Sequence, residues 1–163
     1  MTGKPTTDLL AHAVGRRLRD RGLRLVAAES CTGGWLAKAV TDVAGSSAWF
    51  ERGFVTYSND AKAELLDVRV DTLARCGAVS EATAREMVLG ALNHSRADIA
   101  IAITGVAGPD GGTADKPVGT VWIAWGRQDN DIATAYFKFG GDRERVRYQS
   151  VVAALEGLIQ FAG

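Results

Sequence analysis

The fold is organised around residues 28–34, Ala28-Glu29-Ser30-Cys31-Thr32-Gly33-Gly34, a polar and glycine-rich run that follows an apolar stretch. The preceding residues 23–27 are short, apolar and partly β-branched, which predicts a buried strand. Thr32 is a suitable N-cap for a helix that starts at Trp35 and closes near Gly45. The sequence therefore predicts a strand that stops at a turn and presents polar groups where a helix begins.

The glycines of this turn indicate an anion or oxyanion site beside Ser30. Backbone N–H groups in the first turn of a helix lack intrahelical partners, and Gly33 and Gly34, having no Cβ atom, let another group approach them. The N–H groups of Thr32, Gly33 and Gly34 are therefore candidates to stabilise a developing negative charge. The alternative is an ordinary strand-to-helix turn in which the serine only caps. A Walker phosphate loop is excluded because no GxxxxGK[ST] string is present.

The composition is typical of a soluble globular protein. With 163 residues, 47% hydrophobic and 23% charged, the chain is long enough to bury a full core as one domain over residues 1–163. Lys plus Arg and Asp plus Glu number 19 each, which gives no electrostatic case for nucleic acid or an anionic membrane. Residues 1–8 lack the apolar segment of a signal peptide, and no stretch suits a membrane span. We therefore expect a cytoplasmic protein without nucleic-acid or membrane partners.

Cysteine and histidine usage narrows the candidate chemistry. Cys31 and Cys76 are unclustered, so they predict neither a disulfide framework nor a zinc site. Cys31 lies at the predicted helix start, where the pKa of a thiol is lowered, and it is an alternative nucleophile. The chain has only two histidines, His12 and His94, both in segments that are predicted to be helical and partly exposed. The candidate general base is therefore a lysine.

Lys62 is that candidate. Residues 46–57 are aromatic and β-branched and predict a strand with Gly53 at a bulge or a close backbone approach. Ser58 or Asn59 then caps a helix through residue 66, which places Lys62 in about its first turn. The positive end of the helix dipole disfavours the charged ammonium there, and together with burial this would let the lysine act as a neutral base near pH 7. A solvated surface lysine is the alternative.

The rest of the chain alternates helices and strands. The sequence predicts further helices over residues 6–21, 70–76, 81–93 and 143–161, and strands over 98–103, 118–125 and 132–139. Thr7 or Asp8 is expected to cap the first helix, and a turn at 128–130 joins the last two strands as a hairpin. This order predicts an α/β fold, a three-layer α/β/α sandwich with a mixed sheet, whose site lies at the strand ends.

Two further segments carry candidate binding groups. The loop over residues 104–117 is long and rich in glycine and polar side chains, which indicates a substrate-binding loop, with a flexible hairpin tip as the alternative. Arg143 and Arg147 lie one turn apart near the start of the last helix, where two arginines can clamp a phosphate. A solvated charged face is the alternative for these two arginines.

Taken together, five ordered stretches resemble the CinA C-terminal domain family. They are residues 28–34, 54–59 with Lys62, 77–80, 104–113 with 116–121, and 141–147. The resemblance extends from about Leu9 to the last helix. The family includes bacterial nicotinamide-nucleotide amidohydrolases, and its larger members carry an additional N-terminal domain that resembles molybdopterin-binding proteins. This chain is similar to the form without that domain.

The resemblance implies an activity and two residue roles. The carboxamide of nicotinamide mononucleotide is hydrolysed to nicotinate mononucleotide and ammonia, in pyridine-nucleotide recycling, by a Ser/Lys dyad without a metal or other cofactor. Ser30 matches the family's nucleophile and Lys62 its base. We expect Tyr57 to relay a proton or to stack on the cationic pyridinium ring. The remaining candidates are Thr104 and Gly105 for the opposite wall, and Arg143, Arg147 or Lys116 for the 5′-phosphate.

Two alternatives stay open at this point. Cys31, rather than Ser30, is the nucleophile in the first. In the second, the chain is a nucleotide-binding or regulatory module that has the fold without the catalysis, because function depends on the site and not on the fold. Large aromatic residues such as Trp49 and Trp125 are expected mostly in the core, and some are available for a homodimer or higher homo-oligomer.

Overall fold

The structure is a computed structural model that describes residues 6–163. These residues form six α-helices, one 3-10 helix and five β-strands. In chain order the elements are α1 (Thr6–Arg21), β1 (Leu25–Glu29), α2 (Trp35–Thr41), the 3-10 helix (Ser46–Ala48), β2 (Phe50–Val55), α3 (Asn59–Leu66), α4 (Val70–Cys76), α5 (Glu81–Asn93), β3 (Ile99–Gly105), β4 (Thr120–Arg127), β5 (Ile132–Lys138) and α6 (Arg143–Phe161). None of the described helices is long and apolar enough to cross a membrane.

The five strands form one mixed sheet in the order β2-β1-β3-β4-β5. Strand β1 is parallel to both of its neighbours, β2 and β3, whereas β4 and β5 are antiparallel and form the predicted hairpin. Glu29 at the end of β1 pairs with Ile103 near the end of β3. The residues that follow, Ser30 and Thr104, therefore lie side by side at the carboxyl edge of the sheet.

Helices cover both faces of the sheet, which confirms the three-layer α/β/α sandwich. Successive side chains of a strand point to opposite faces. Accordingly, Ile99, Ile101 and Ile103 pack against α1, α2 and α6, whereas Ala100 and Ala102 pack against α3 and α5. The small alanines on the second face let α5 lie close to the sheet.

The predicted strand over residues 46–57 is shorter in the structure, and its bulge lies elsewhere. Residues 46–48 form the 3-10 helix before β2 begins at Phe50. The register shifts at Glu51, because Leu25 pairs with Phe50 and Val26 with Arg52. Gly53 pairs in register with Ala27, and a Cβ atom there would meet its nearest neighbour at an ordinary 3.5 Å. Both interpretations of Gly53 are therefore wrong.

The helix caps agree with the prediction in one case and differ in two. Ser58 caps α3, with its hydroxyl accepting a hydrogen bond from the N–H of Ala61 at 3.0 Å, as predicted. Thr7 and Asp8 lie inside α1 rather than before its first residue. Thr32 is not the N-cap of α2 either, since the helix begins at Trp35 after Gly34, which has a left-handed φ of 101°. This conformation favours glycine at position 34.

Candidate active site

The site is centred on a direct contact between Ser30 and Lys62. Ser30 follows β1, and its N–H donates to the carbonyl of Ile103 on β3 at 3.0 Å. Lys62 lies in the first turn of α3, and its Nζ donates to Ser30 Oγ at 2.8 Å and to the carbonyl of Thr56 at 2.7 Å. The Thr56 N–H in turn donates to the carbonyl of Glu29 at 2.8 Å. Strand β1 therefore holds the serine directly and the lysine through Thr56.

Lys62 is buried without a countercharge. Only 1% of the residue is exposed, and no carboxylate among the described residues lies within ion-pair distance of its Nζ. Desolvation of the ammonium lowers the pKa of Lys62 to about 8. About one lysine in ten is then neutral at pH 7. The direction agrees with the sequence-based prediction, and burial, one of its two predicted causes, is the largest contribution.

The Cys31 thiol is buried and has a raised pKa, whereas an activated thiol has a lowered one. Its side chain is buried, and desolvation raises the pKa of the Cys31 thiol to about 11. The predicted lowering by a helix start is therefore wrong. Helix α2 starts four residues further on, and the N–H groups of Leu36 and Ala37 in its first turn donate to the carboxylate of Glu29.

A cavity of about 300 Å³ opens beside the Ser30–Lys62 contact. Its wall includes Thr104 and Gly105, as predicted, and the start of the long loop that follows β3. A Cβ atom on Gly105 would lie 2.7 Å from Val121 Cγ2 and 3.2 Å from Cys31 Sγ, so a larger residue would disturb this wall. The lining residues are Ser30, Cys31, Tyr57, Asn59, Lys62, Ala78, Val79, Thr104 to Gly108, Asp110, Gly111 and Arg143.

Arg143 joins three segments at the rim of this cavity. From the first turn of α6, its Nη1 donates to the carbonyl of Gly108 and its Nη2 to the hydroxyl of Tyr57, both at 2.8 Å. Tyr57 is 63% exposed, and its hydroxyl has no hydrogen bond with Ser30 or Lys62. The structure therefore places Tyr57 at the entrance rather than in a proton relay.

The structure does not bring the remaining predicted site residues into the cavity. Gly33 donates its N–H to the carbonyl of Ser30 at 3.1 Å, and Gly33 and Gly34 line a separate surface groove beside α2. The hydroxyl of the fully buried Thr32 donates to Glu29 at 2.7 Å. Lys116 donates to the carbonyl of Cys76 and does not line the cavity.

Arg147 is also engaged elsewhere. Its Nε donates to the carbonyl of Cys31 and its Nη2 to the carbonyl of Thr32, both at 3.1 Å, and its guanidinium lies over the ring of Trp35. It borders a second cavity of about 320 Å³ together with Arg143 and Tyr57. The two arginines therefore share the second cavity, and only Arg143 also lines the cavity at Ser30.

Sequence reasoning missed three polar residues of the site region. Asn59 and Asp110 line the cavity, and Glu29 lies directly before Ser30. A signal for Glu29 was present, because an acidic residue at the end of an apolar strand requires buried donors. In the part of the chain that the structure describes, no three His, Cys, Asp or Glu side chains are grouped to hold a metal ion.

Fold and site together define an α/β sandwich with a buried serine–lysine contact at the carboxyl edge of its sheet. The chain belongs to the CinA C-terminal domain family, which it matches over residues 7–162. It is 56% identical over 151 residues to the nicotinamide-nucleotide amidohydrolase PncC of Escherichia coli strain K12, covering 93% of this chain and 92% of that protein. The corresponding protein of Pseudomonas putida is 51% identical, with 93% and 94% covered.

A solved structure agrees with the same assignment. The crystal structure of the competence/damage inducible protein CihA from Agrobacterium tumefaciens superposes with a TM-score of 0.96 at 44% sequence identity. The match covers 100% of both chains.

Proposed function

We propose that this chain hydrolyses the carboxamide of nicotinamide mononucleotide to nicotinate mononucleotide and ammonia, as a single domain over residues 1–163 and without a metal. Relatives that are named nicotinamide-nucleotide amidohydrolase, and of which the chain covers more than nine tenths, support the substrate. The observation that carries the chemistry is the 2.8 Å contact between Lys62 Nζ and Ser30 Oγ beside a cavity.

In the first half of the reaction, Ser30 Oγ attacks the carbonyl carbon of the amide. Neutral Lys62 accepts the proton of the hydroxyl, which reverses the direction of the hydrogen bond between them. The carbonyl of Thr56 holds Lys62 Nζ and so directs its lone pair towards the serine. As the C–N bond breaks, the lysine returns that proton to the departing nitrogen, and ammonia leaves behind an ester on Ser30.

In the second half, water takes the place of the serine. Neutral Lys62 removes a proton from the water, whose oxygen attacks the ester carbon. The bond to Ser30 Oγ then breaks, and the proton on Lys62 restores the hydroxyl. The product is the carboxylic acid, which releases its remaining proton to solvent and leaves as the carboxylate, and both side chains return to their starting states.

The negative oxygen of each tetrahedral intermediate needs hydrogen-bond donors that face the cavity. The N–H groups of Cys31 and Ala107 are the candidates, because both residues line the cavity and neither N–H donates to a carbonyl of a described residue. The sequence-based candidates for this role, Thr32, Gly33 and Gly34, do not line this cavity. Loss of one such donor typically reduces the rate by about a hundredfold or more.

Charged and aromatic groups at the rim suit the rest of the nucleotide. Arg143 lies where the two cavities meet and presents a guanidinium to a 5′-phosphate, while the neighbouring Tyr57 offers an aromatic face to the pyridinium. Asn59 and Asp110 supply acceptors for ribose hydroxyls. A cytoplasmic location and a homodimer or higher homo-oligomer remain predictions.

The test is ammonia release from nicotinamide mononucleotide by the purified protein in excess chelator, with the riboside and free nicotinamide as competing amides. We expect turnover that survives chelation and falls when the phosphate is absent, because Arg143 then has no anion to bind. Binding of the nucleotide without ammonia release would contradict the proposal and favour the non-catalytic alternative.

A further inference from the structure

Glu29 is a buried acidic residue directly before the proposed nucleophile. It is 1% exposed, and no basic side chain of the described residues pairs with it. Its carboxylate accepts three hydrogen bonds, from Thr32 Oγ1 at 2.7 Å, the N–H of Leu36 at 2.9 Å and the N–H of Ala37 at 3.1 Å. Burying a carboxylate costs free energy unless hydrogen bonds satisfy it, so the fold requires these three contacts.

These contacts connect the end of β1 to the start of α2. The N–H groups of Leu36 and Ala37 are those that a capping side chain normally satisfies. Here a strand residue performs this function, and its own carbonyl also accepts the N–H of Thr56. The two segments on either side of Ser30 are therefore held to each other through one side chain.

A second charged side chain binds the same turn, as a hydrogen-bond donor where Glu29 is an acceptor. Arg147 donates to the carbonyls of Cys31 and Thr32, whereas Glu29 accepts from donors of Thr32 and α2. Charged groups thus bind two carbonyl acceptors and one hydroxyl donor of the turn between Ser30 and Trp35. Its conformation sets the direction in which the Ser30 side chain leaves the backbone.

We propose that Glu29 is a positioning residue that holds Ser30 Oγ opposite Lys62 Nζ for the attack on substrate. For the reaction itself this inference rests on the proposed function. Misplacement of a reacting atom by about 1 Å can reduce a rate about a hundredfold. Glu29 does not border the cavity, so its loss acts through the serine and not through substrate contacts.

The test compares Glu29→Gln with a milder variant and a control. The amide of glutamine is isosteric with the carboxylate but presents an NH₂ group to one of the three donors. We expect kcat to fall about 10- to 100-fold while KM stays within about threefold. Thr32→Val removes a single hydrogen bond and should give a smaller loss of kcat. Val14→Ala, in the fully buried core of α1, lowers stability without touching the turn and should leave kcat unchanged.

A second readout does not depend on the substrate. Labelling of Ser30 by a fluorophosphonate reports the reactivity of the hydroxyl, and we expect it to slow about tenfold or more in Glu29→Gln. Labelling at the wild-type rate would overturn the inference, as would equal slowing in Val14→Ala. If Glu29→Gln fails to fold, Thr32→Val decides in the same way. If the wild-type protein is labelled by the fluorophosphonate but does not hydrolyse nicotinamide mononucleotide, the proposed function is refuted. The inference about Glu29 still stands in that case if the Glu29→Gln variant is labelled more slowly than wild type.

Discussion

Lys62→Met is predicted to stabilise the protein while it abolishes activity. Burial lowers the pKa of Lys62 from 10.5 to about 8, and each pKa unit corresponds to about 1.4 kcal/mol. At pH 7 the burial of the ammonium therefore lowers the free energy of unfolding by about 3 kcal/mol. Methionine has a similar length and no charge, so it removes this penalty.

The net gain is smaller than the penalty, because the substitution also removes two hydrogen bonds. The contacts of Lys62 with Ser30 Oγ and the Thr56 carbonyl contribute about 1 kcal/mol each. We therefore expect Lys62→Met to raise the free energy of unfolding by about 1 kcal/mol at pH 7. A stability change of this size at a single pH would not show that removal of the buried charge causes it.

The pH dependence isolates the contribution of charge. Because the folded pKa lies below the unfolded one, the unfolded state binds more protons between about pH 8 and pH 10.5, and wild-type stability gains from this group as pH rises through that window. By pH 10 the penalty falls to about 1 kcal/mol, so Lys62→Met loses about 2 kcal/mol of its advantage relative to pH 7.

Urea unfolding of wild type and Lys62→Met at both pH values measures this double difference, in which titrations that are independent of Lys62 cancel. Lys38→Met is the matched control, because the Lys38 side chain is 70% exposed. We expect it to change stability by less than about 0.5 kcal/mol at either pH. An equal effect of Lys62→Met at both pH values would refute the claim that Lys62 is held against a desolvation penalty.

Three further predictions follow from the same geometry. The kcat of ammonia release should rise with pH through about 8, as Lys62 loses its proton, and a profile that is flat from pH 6 to 9 would exclude it as the base. Arg143→Ala should raise KM for the nucleotide about 10- to 100-fold with little change in kcat, whereas Arg147→Ala should mainly lower kcat, as steady-state kinetics on both variants would reveal. Gly90→Ala should lower the melting temperature, although alanine usually favours a helix, because its Cβ would lie 1.8 Å from the carbonyl oxygen of Leu66.

The architecture and the central contact could be predicted because their signals are local. An apolar run that ends in a polar, glycine-rich turn identifies both β1 and the residues it presents, and Ser58 marks the start of α3. The site was expected at the strand ends, and the parallel pairing of β1 with β3 places Ser30 and Thr104 there. The resemblance added the roles of Ser30 and Lys62.

The errors concern contacts that form only in the folded chain. Arg147 contacts carbonyl groups more than a hundred positions away, and Lys116 contacts Cys76, so both lack the freedom that their local sequence suggested. Thr32 was predicted to cap α2, but the carboxylate of Glu29 takes the donors of that helix. Burial determines the pKa of Cys31, which a local helix rule could not anticipate. In each case a rule based on neighbouring residues did not anticipate a tertiary contact.

The most direct measurement of the central claim compares Ser30→Ala with Cys31→Ala for ammonia release from nicotinamide mononucleotide. The two residues are adjacent and both line the cavity, but only Ser30 contacts Lys62. We predict that Ser30→Ala loses at least about a thousandfold in kcat/KM, whereas Cys31→Ala stays within about tenfold of wild type. Retained turnover in Ser30→Ala, or its loss in Cys31→Ala alone, would contradict the serine–lysine mechanism.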